Sequence, residues 1–249
     1  QNFVVAYTRA RPGATFERKG QTDEYVLLIE EQDVPAIISA NGQSESVPGY
    51  AIVIVPPGDS HITFPKGGEF VRLFSRDNED MTALAANAHG YAVQQPNVPP
   101  FRKWPEPPAG YSIRPYSLDV PKKEGRFGRL WRCTTFMVNV FEPDGPRDTA
   151  KLSPHFHDDF EQCSLALGGA YVHHLRWPWT ANQADWREDE HATCPAPSIA
   201  VIPPKSIHTS ASIAPSDNRL VDIFAPPRHD FSLMEGWVLN ADDYPMPRA

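Results

Sequence analysis

Twice in this chain a short apolar run closes on a Pro-Pro pair and meets a histidine four residues further on: AIVIVPPGDSH (Ala51–His61) and SIAVIPPKSIH (Ser198–His208). Each copy has the same surroundings. An acidic residue opens a long apolar stretch upstream, Glu24 in the first and Glu161 in the second. A strand-like run ending in phenylalanine follows, VRLF (Val71–Phe74) and VDIF (Val221–Phe224). Such a long-range repeat implies two copies of one folding unit. It constrains the fold more than any single motif in the sequence.

Between the copies lies PNVPPFRKWPEPP (Pro96–Pro108). Its six prolines lack backbone N–H donors and fix φ, so the segment forms neither a helix nor a central strand. It reads as an extended linker, giving a first unit over residues 1–95, a linker over 96–112 and a second unit over 113–249. A length of 249 residues suits two such units, each long enough to bury a core.

Both units are rich in β-branched and apolar runs with turn signals between them, which predicts all-β sandwiches or barrels. In the first unit the strand candidates are Glu24–Glu30, Val34–Ala40, Ala51–Val55 and Glu69–Phe74, with Asn41-Gly42 as a tight turn. In the second they are Leu130–Phe141, Glu161–Leu167, Ala170–Trp177, Ser198–Ile202 and Arg219–Phe224. One helix is expected at Glu79–His89, capped by Asp77 or Asn78 and stopped by Gly90.

The composition excludes some partners. No stretch approaches the ~18 apolar residues of a membrane span. The net charge is −8 with no basic stripe, which argues against nucleic acid. The three cysteines, Cys133, Cys163 and Cys194, are too few and too scattered for a disulfide framework. With no apolar leader in QNFVVAYTRARPG, they point to the cytoplasm.

The chemistry concentrates in PHFHDDFEQCSLALGG (Pro154–Gly169). His155 and His157 are two apart, so on an extended backbone both face one side. Glu161 opens the next strand, Gly168 falls where that strand must turn, and His208 lies far along the chain. Imidazoles with one carboxylate suit Fe, Mn, Co, Ni, Zn or Cu better than Ca or Mg. A set of four leaves coordination positions open, as catalysis requires.

The spacing H-x-H-x3-E-x6-G, with a later Pro-Pro strand and histidine, resembles the paired motifs of the cupin superfamily. PGYAIVIVPPGDSH (Pro48–His61) resembles the second of those motifs with one residue inserted. The resemblance covers both units, so the chain looks like a bicupin: two small double-stranded β-helix barrels. It implies one divalent transition metal per chain (Fe, Mn, Ni or Zn), held in the second barrel by His155, His157, Glu161 and His208. The first barrel departs from the pattern. Aligning Glu24 with Glu161 puts Arg18 and Gly20 where the two histidines would stand, leaving only Glu24 and His61. By the same resemblance a homodimer or an intramolecular pseudo-dimer is expected.

Other residues are candidates for the chemistry. His173 and His174 are adjacent and face opposite sides of their strand, so one would line the barrel as an acid or base. Arg132 and Arg176 would clamp a carboxylate. Cys163 would face the same way as Glu161. Trp177, Trp179 and Trp186 flank a segment, WPWTANQADWREDEH, that the first unit lacks and that would lid the pocket. Arg228, after Pro226-Pro227, reads as a surface residue. The superfamily spans several chemistries. The leading expectation is a dioxygenase-type oxidoreductase acting on a small oxygen-rich or carboxylated molecule. A metal-dependent isomerase, epimerase or lyase uses the same ligands, and a sugar- or metabolite-binding bicupin without catalysis is the third expectation.

Overall fold

The computed structural model describes residues 1–247. Its chain is almost entirely β, in four antiparallel sheets. The first half forms β1 (Phe3–Ala10), β2 (Ala14–Gln21), β3 (Tyr25–Ile29), β4 (Ala36–Ala40), β5 (Gln43–Val47), β6 (Ala51–Val55), β7 (Gly58–Phe64) and β8 (Gly68–Ser75), then the short helix α1 (Glu79–Leu84). The second half forms β9 (Arg114–Ser117), β10 (Arg129–Arg132), β11 (Met137–Val140), β12 (Glu161–Gly168), β13 (Ala170–Arg176), β14 (Glu190–Pro195), β15 (Ser198–Ile202), β16 (Ile207–Ser212) and β17 (Arg219–Ala225), then helix α2 (His229–Leu233).

The strand orders are β1-β8-β3-β6-β9 facing β2-β7-β4-β5 in the first barrel, and β10-β11-β17-β12-β15 facing β14-β13-β16 in the second. The two repeats superpose by pairing. Tyr25 pairs with Val55 as Gln162 pairs with Ile202, and Leu27 pairs with Arg72 as Ser164 pairs with Asp222.

Alternation along each strand sends its two sets of side chains to different cores. From β3 and β8, Val26, Leu28, Val71 and Leu73 point away from their own barrel. They pack with Trp131, Val138, Cys163, Leu165, Val221 and Ile223 in one buried cluster. This seam joins the two five-stranded sheets face to face, and each large side chain in it contributes ~1.5–3 kcal/mol by burial. The opposite faces line the barrels. In the first barrel they are apolar: Tyr25, Leu27, Ile29, Phe70 and Phe74 meet Ile38, Ile62 and Phe64. In the second, the apolar cluster shrinks to Leu130, Met137, Phe160, Phe224 and Val238. Gln162, Ser164, Asn139, Asp222, His173 and His208 are buried polar residues of that half. A barrel whose interior is polar needs a reason for it, and that contrast locates the site.

Three expectations from sequence are corrected. Leu130–Phe141 is not one strand but a hairpin, closed at Cys133–Phe136 by Cys133 N donating to Phe136 O at 2.9 Å. Cys-Thr-Thr is β-prone and carries no glycine or proline, so it gave no turn signal. The helix at Glu79–His89 stops at Leu84, with a separate 3-10 turn at Ala88–Tyr91. Asn78 holds its N-cap position without capping it. Its side-chain amide donates instead to Asp23 and to the Ser75 carbonyl. Finally β9 pairs with β6, so the stretch just after residue 113 belongs to the first barrel's sheet. The segment 96–112 contains no strand or helix. It is tied to the second half through Trp104 N donating to Thr134 O at 2.7 Å.

Candidate metal centre

His155, His157 and His208 come together in the second barrel. His155 and His208 form an isolated antiparallel bridge, exchanging N–H···O bonds of 3.1 and 2.8 Å, and Lys205 N donates to His157 O at 2.8 Å. These bonds dock the H-x-H segment on the start of β16. The ring centroids lie 4.4 Å (His155–His208), 5.0 Å (His157–His208) and 6.4 Å (His155–His157) apart. His157 and His208 are buried, and His155 is exposed at the barrel mouth.

Each ring is held by one nitrogen. His155 Nδ1 donates to Ser153 O and His208 Nδ1 to Ser206 O, both at 2.9 Å. His157 Nε2 donates to Gln162 Oε1 at 3.0 Å. A carbonyl oxygen only accepts, so each of these nitrogens carries the proton and the other keeps its lone pair. His157 Nδ1 and His208 Nε2 are buried with no hydrogen-bond partner. Burial pushes the His157 ring down to about 3 and His208 down to about 4, with their mutual repulsion adding to the shift at His157. Both rings are neutral near pH 7, the state in which imidazole binds a metal. Phe160 stacks on His157 at 4.0 Å and fixes its plane.

Glu161 is not part of this cluster. Its carboxylate accepts from Gln1 N at 2.8 and 3.0 Å and from Asn2 N at 2.8 Å. Glu24, its counterpart in the repeat, accepts from Thr134 N (3.1 Å), Thr134 Oγ1 (2.8 Å) and Tyr244 Oη (2.6 Å). Each of these glutamates therefore takes its donors from the other half of the chain. On β12 the odd positions Glu161, Cys163 and Leu165 share one face, and the even positions share the other. The residue beside the histidines is Gln162. Its Nε2 reaches Ser164 Oγ at 3.4 Å, and Ser164 Oγ donates to Asp222 Oδ1 at 2.6 Å. Burial raises the Asp222 carboxyl to about 6. Among the described residues, no three His, Cys, Asp or Glu side chains close into a ready-made metal cage.

A divalent transition metal therefore fits here in part. The donor chemistry is present in three converging imidazoles, two of them with unpartnered, buried nitrogens. The expected carboxylate is absent from the cluster. In the first barrel Arg18 pairs with Ser60 on β2 and β7, as His155 pairs with His208. The counterpart of His208 is thus Ser60, not His61. Ser60 is hydrogen-bonded to Tyr25 Oη at 3.0 Å, while His61 sits on the outer face beside Thr63 and Glu17.

The remaining candidates separate clearly. His173 lies inside, 1% exposed, with Nδ1 on Ser210 Oγ at 2.7 Å and Nε2 unpartnered. His174 points out and meets His191, Nδ1 to Nδ1 at 2.7 Å. Arg132 is buried, stacked over Trp104 at 5.5 Å, and donates through Nε to Tyr244 O at 2.9 Å. Arg176 is exposed and chelates Asp189. Neither arginine clamps anything in the barrel. Cys163 is buried in the seam, and desolvation drives its thiol up. Trp179 and Trp186 stack on each other at 4.4 Å on the surface, and Trp177 donates to Glu190 at 2.9 Å. Part of that insertion forms β14 rather than a free loop.

Arg228 is the residue that sequence reasoning placed wrongly. Its side chain is 12% exposed and bonds Asp230 at 2.6 and 3.0 Å. The guanidinium lies over Phe160, Phe224 and Phe231. Its charge depresses both His157 and His208. The Pro226-Pro227 pair marked only a strand end, and nothing in the local sequence showed that the chain turns back over the barrel.

The architecture is a two-barrel, double-stranded β-helix with one polar interior. It is the fold of the cupin superfamily. AerE from Microcystis aeruginosa matches over 90% of this chain and 88% of its own, at 11% identity and a TM-score of 0.59. Oxalate decarboxylase matches over 90% of this chain and 68% of its own, at 16% identity and a TM-score of 0.55. A Bacillus subtilis oxalate decarboxylase structure determined in work on its Mn(II) centres covers the same shares, at 15% identity and a TM-score of 0.54. No protein-family model and no curated protein matches the chain.

Proposed function

We propose that this protein is a metal-dependent cupin enzyme. His155, His157 and His208 would hold one divalent transition metal, and the reaction would be a dioxygenase-type oxidation of a small, oxygen-rich or carboxylated molecule. The observation that carries this reading is the set of three imidazoles, each pinned through one nitrogen, with His157 Nδ1 and His208 Nε2 buried and unpartnered. The fold's likeness to a protein with Mn(II) centres supports it. A bound metal would supply Lewis acidity and, if redox-active, electrons.

The chain's own residues do the rest. Arg228 sets a fixed positive charge beside the cluster, in the role expected of Arg132 and Arg176, and favours an anionic substrate. Phe160 and Phe224 exclude water from the inner wall. His173 Nε2, neutral because burial lowers its pKa, is placed to take a proton and return it. That observation also favours a second reading, a proton-transferring isomerase or lyase on the same ligands. The three free thiols accord with a cytoplasmic location, and the expected partner is the small-molecule substrate.

The test is metal analysis of untagged protein beside the His155→Ala/His157→Ala double variant. About one Fe, Mn, Ni or Zn per chain, lost in the variant, is the expected result. Equal metal in both, or none in either after reconstitution, would sink the metal centre. Turnover undiminished without O2 would replace the oxidation with the proton-transfer reading.

A further inference from the structure

The apolar lining of the first barrel is broken by a charge. Arg72 on β8 shares its face with Phe70 and Phe74, and its guanidinium lies over the rings of Phe16 (4.8 Å), Phe74 (5.5 Å) and Phe70 (5.9 Å). Among the described residues it has no hydrogen-bond or ion-pair partner, and its Nε is fully enclosed. Arg18 lies over the same Phe74 ring at 5.1 Å. It is paired with Asp80 of α1 and donates through Nε to Gln21 Oε1 at 2.8 Å. The other acids at this end are committed as well. Asp23 accepts from Ser75 and Asn78 and faces Lys103. Asp59 accepts from Gly20 N, and Glu17 faces His61 on the outer side. The groups whose charge acts on Arg72 are Tyr25 and Arg18, and burial raises the Tyr25 phenol, so neither is an anion near pH 7. The repeat sets this against the second barrel. Arg18 pairs with Ser60 as His155 pairs with His208, and Arg72 pairs with Leu27 as Asp222 pairs with Ser164. Where one barrel places a histidine and a carboxyl, the other places two guanidinium groups.

We infer that the mouth of the first barrel is a metal-free anion site, in which Arg72 and Arg18 bind a small monocarboxylate with an apolar body. The site is separate from the histidine centre and does not depend on it. An unpaired charge in apolar surroundings destabilises the fold, and a ligand that pairs it removes the penalty. A guanidinium laid flat on aromatic rings sends its N–H groups outward in its own plane, where a carboxylate accepts two of them side by side. The mouth already seats one carboxylate, Asp80, with Oδ1 3.0 Å from Arg18 Nη2. The rings of Phe16 and Phe74 offer apolar contact to the rest of the molecule, and a groove of about 550 Å3 passes Arg18 and Ser60. Arg72 is the anchor, and Asp80 competes with the ligand for Arg18.

Calorimetric titration of the chelator-treated full chain with sodium benzoate tests this, beside acetate and inorganic phosphate. Wild type should bind a single benzoate per chain, more tightly than acetate or phosphate. Arg72→Met should weaken benzoate by at least about tenfold, and Arg72→Lys, which keeps a point charge but not the fork, should fall between the two. Asp80→Asn, which frees Arg18, should tighten benzoate by about threefold or more. Arg228→Met and His157→Gln, in the second barrel, should leave benzoate affinity within about twofold of wild type. Without benzoate, Arg72→Met should melt at or above the wild-type midpoint, because it removes an unpaired charge and keeps the apolar stem. A lowered midpoint with benzoate affinity unchanged would make Arg72 a packing residue and overturn the inference. Should Arg72→Met fail to fold, Arg72→Lys decides, and an affinity equal to wild type overturns it. No benzoate bound by wild type, benzoate lost in Arg228→Met, or phosphate bound more tightly than benzoate overturns it too.

Discussion

His157 and His208 tie the site's chemistry to the protein's stability. Both fold at pKa values, about 3 and about 4, below the ordinary imidazole value near 6.5. Between these values the unfolded chain binds protons that the folded chain refuses. Their contribution is therefore complete above about pH 6.5 and is lost as pH falls towards 4. Asp222, raised to about 6, acts in the opposite sense over much of the same range, because its stabilising contribution fades as pH rises from 4 to 6. The difference between proteins isolates the histidine part. In metal-free protein the thermal midpoint of wild type should fall more between pH 7 and pH 4.5 than that of His157→Gln. Parallel curves would mean that His157 is protonated in the fold without penalty.

The element that decides the site is β12. Its period of two sends Glu161, Cys163 and Leu165 to the inter-barrel seam and Gln162, Ser164 and Ala166 to the barrel interior. A ligand assigned one residue out of phase lands in the wrong core. The strand ends in a turn that fixes this phase. Gly169 has φ +68° and lies against Asn218, so a Cβ there would collide with the Asn218 side chain. That side chain is a hub, accepting from Ala170 N (3.2 Å) and Ala214 N (3.3 Å) and donating to Asp144 O (3.0 Å) and Ala214 O (2.8 Å). Gly169→Ala should cost ~1–3 kcal/mol, read as a lower denaturation midpoint. It should also weaken metal binding by disturbing the β12 register. An unchanged midpoint would show that the turn relaxes freely.

Across the whole molecule the two barrels are coupled by charge as well as by apolar packing. Glu30, nearly buried at the seam's edge, has its carboxyl raised by desolvation to about 7, with Arg219 from the other half opposing the shift at 3.8 Å. A raised acid stabilises fully below about pH 4.5, and that contribution is lost as pH climbs through 7. Glu30→Gln should therefore be more stable than wild type at pH 8, by up to ~3 kcal/mol, with the gap closing at pH 5. Arg219 keeps Glu31 at 2.8 Å in either protein. A variant less stable than wild type at pH 8 would show that the Arg219 pair outweighs the desolvation.

Much of this was legible in the chain itself. The doubled strand–Pro-Pro–His phrase gave two barrels because backbone hydrogen bonding and alternation act locally. The same locality marked His155, His157 and His208 as candidate ligands and gave His173 and His174 opposite faces. Tertiary structure decided the rest. Which face of β12 met the seam depended on the other barrel. So Glu161 and Glu24 became clasps between the halves, and Gln162 took the place beside the histidines. The turn inside Leu130–Phe141 and the return of Arg228 over Phe160 likewise depend on partners far along the chain. A sequence fixes which residues alternate. The packing of one sheet on another fixes which set faces inward.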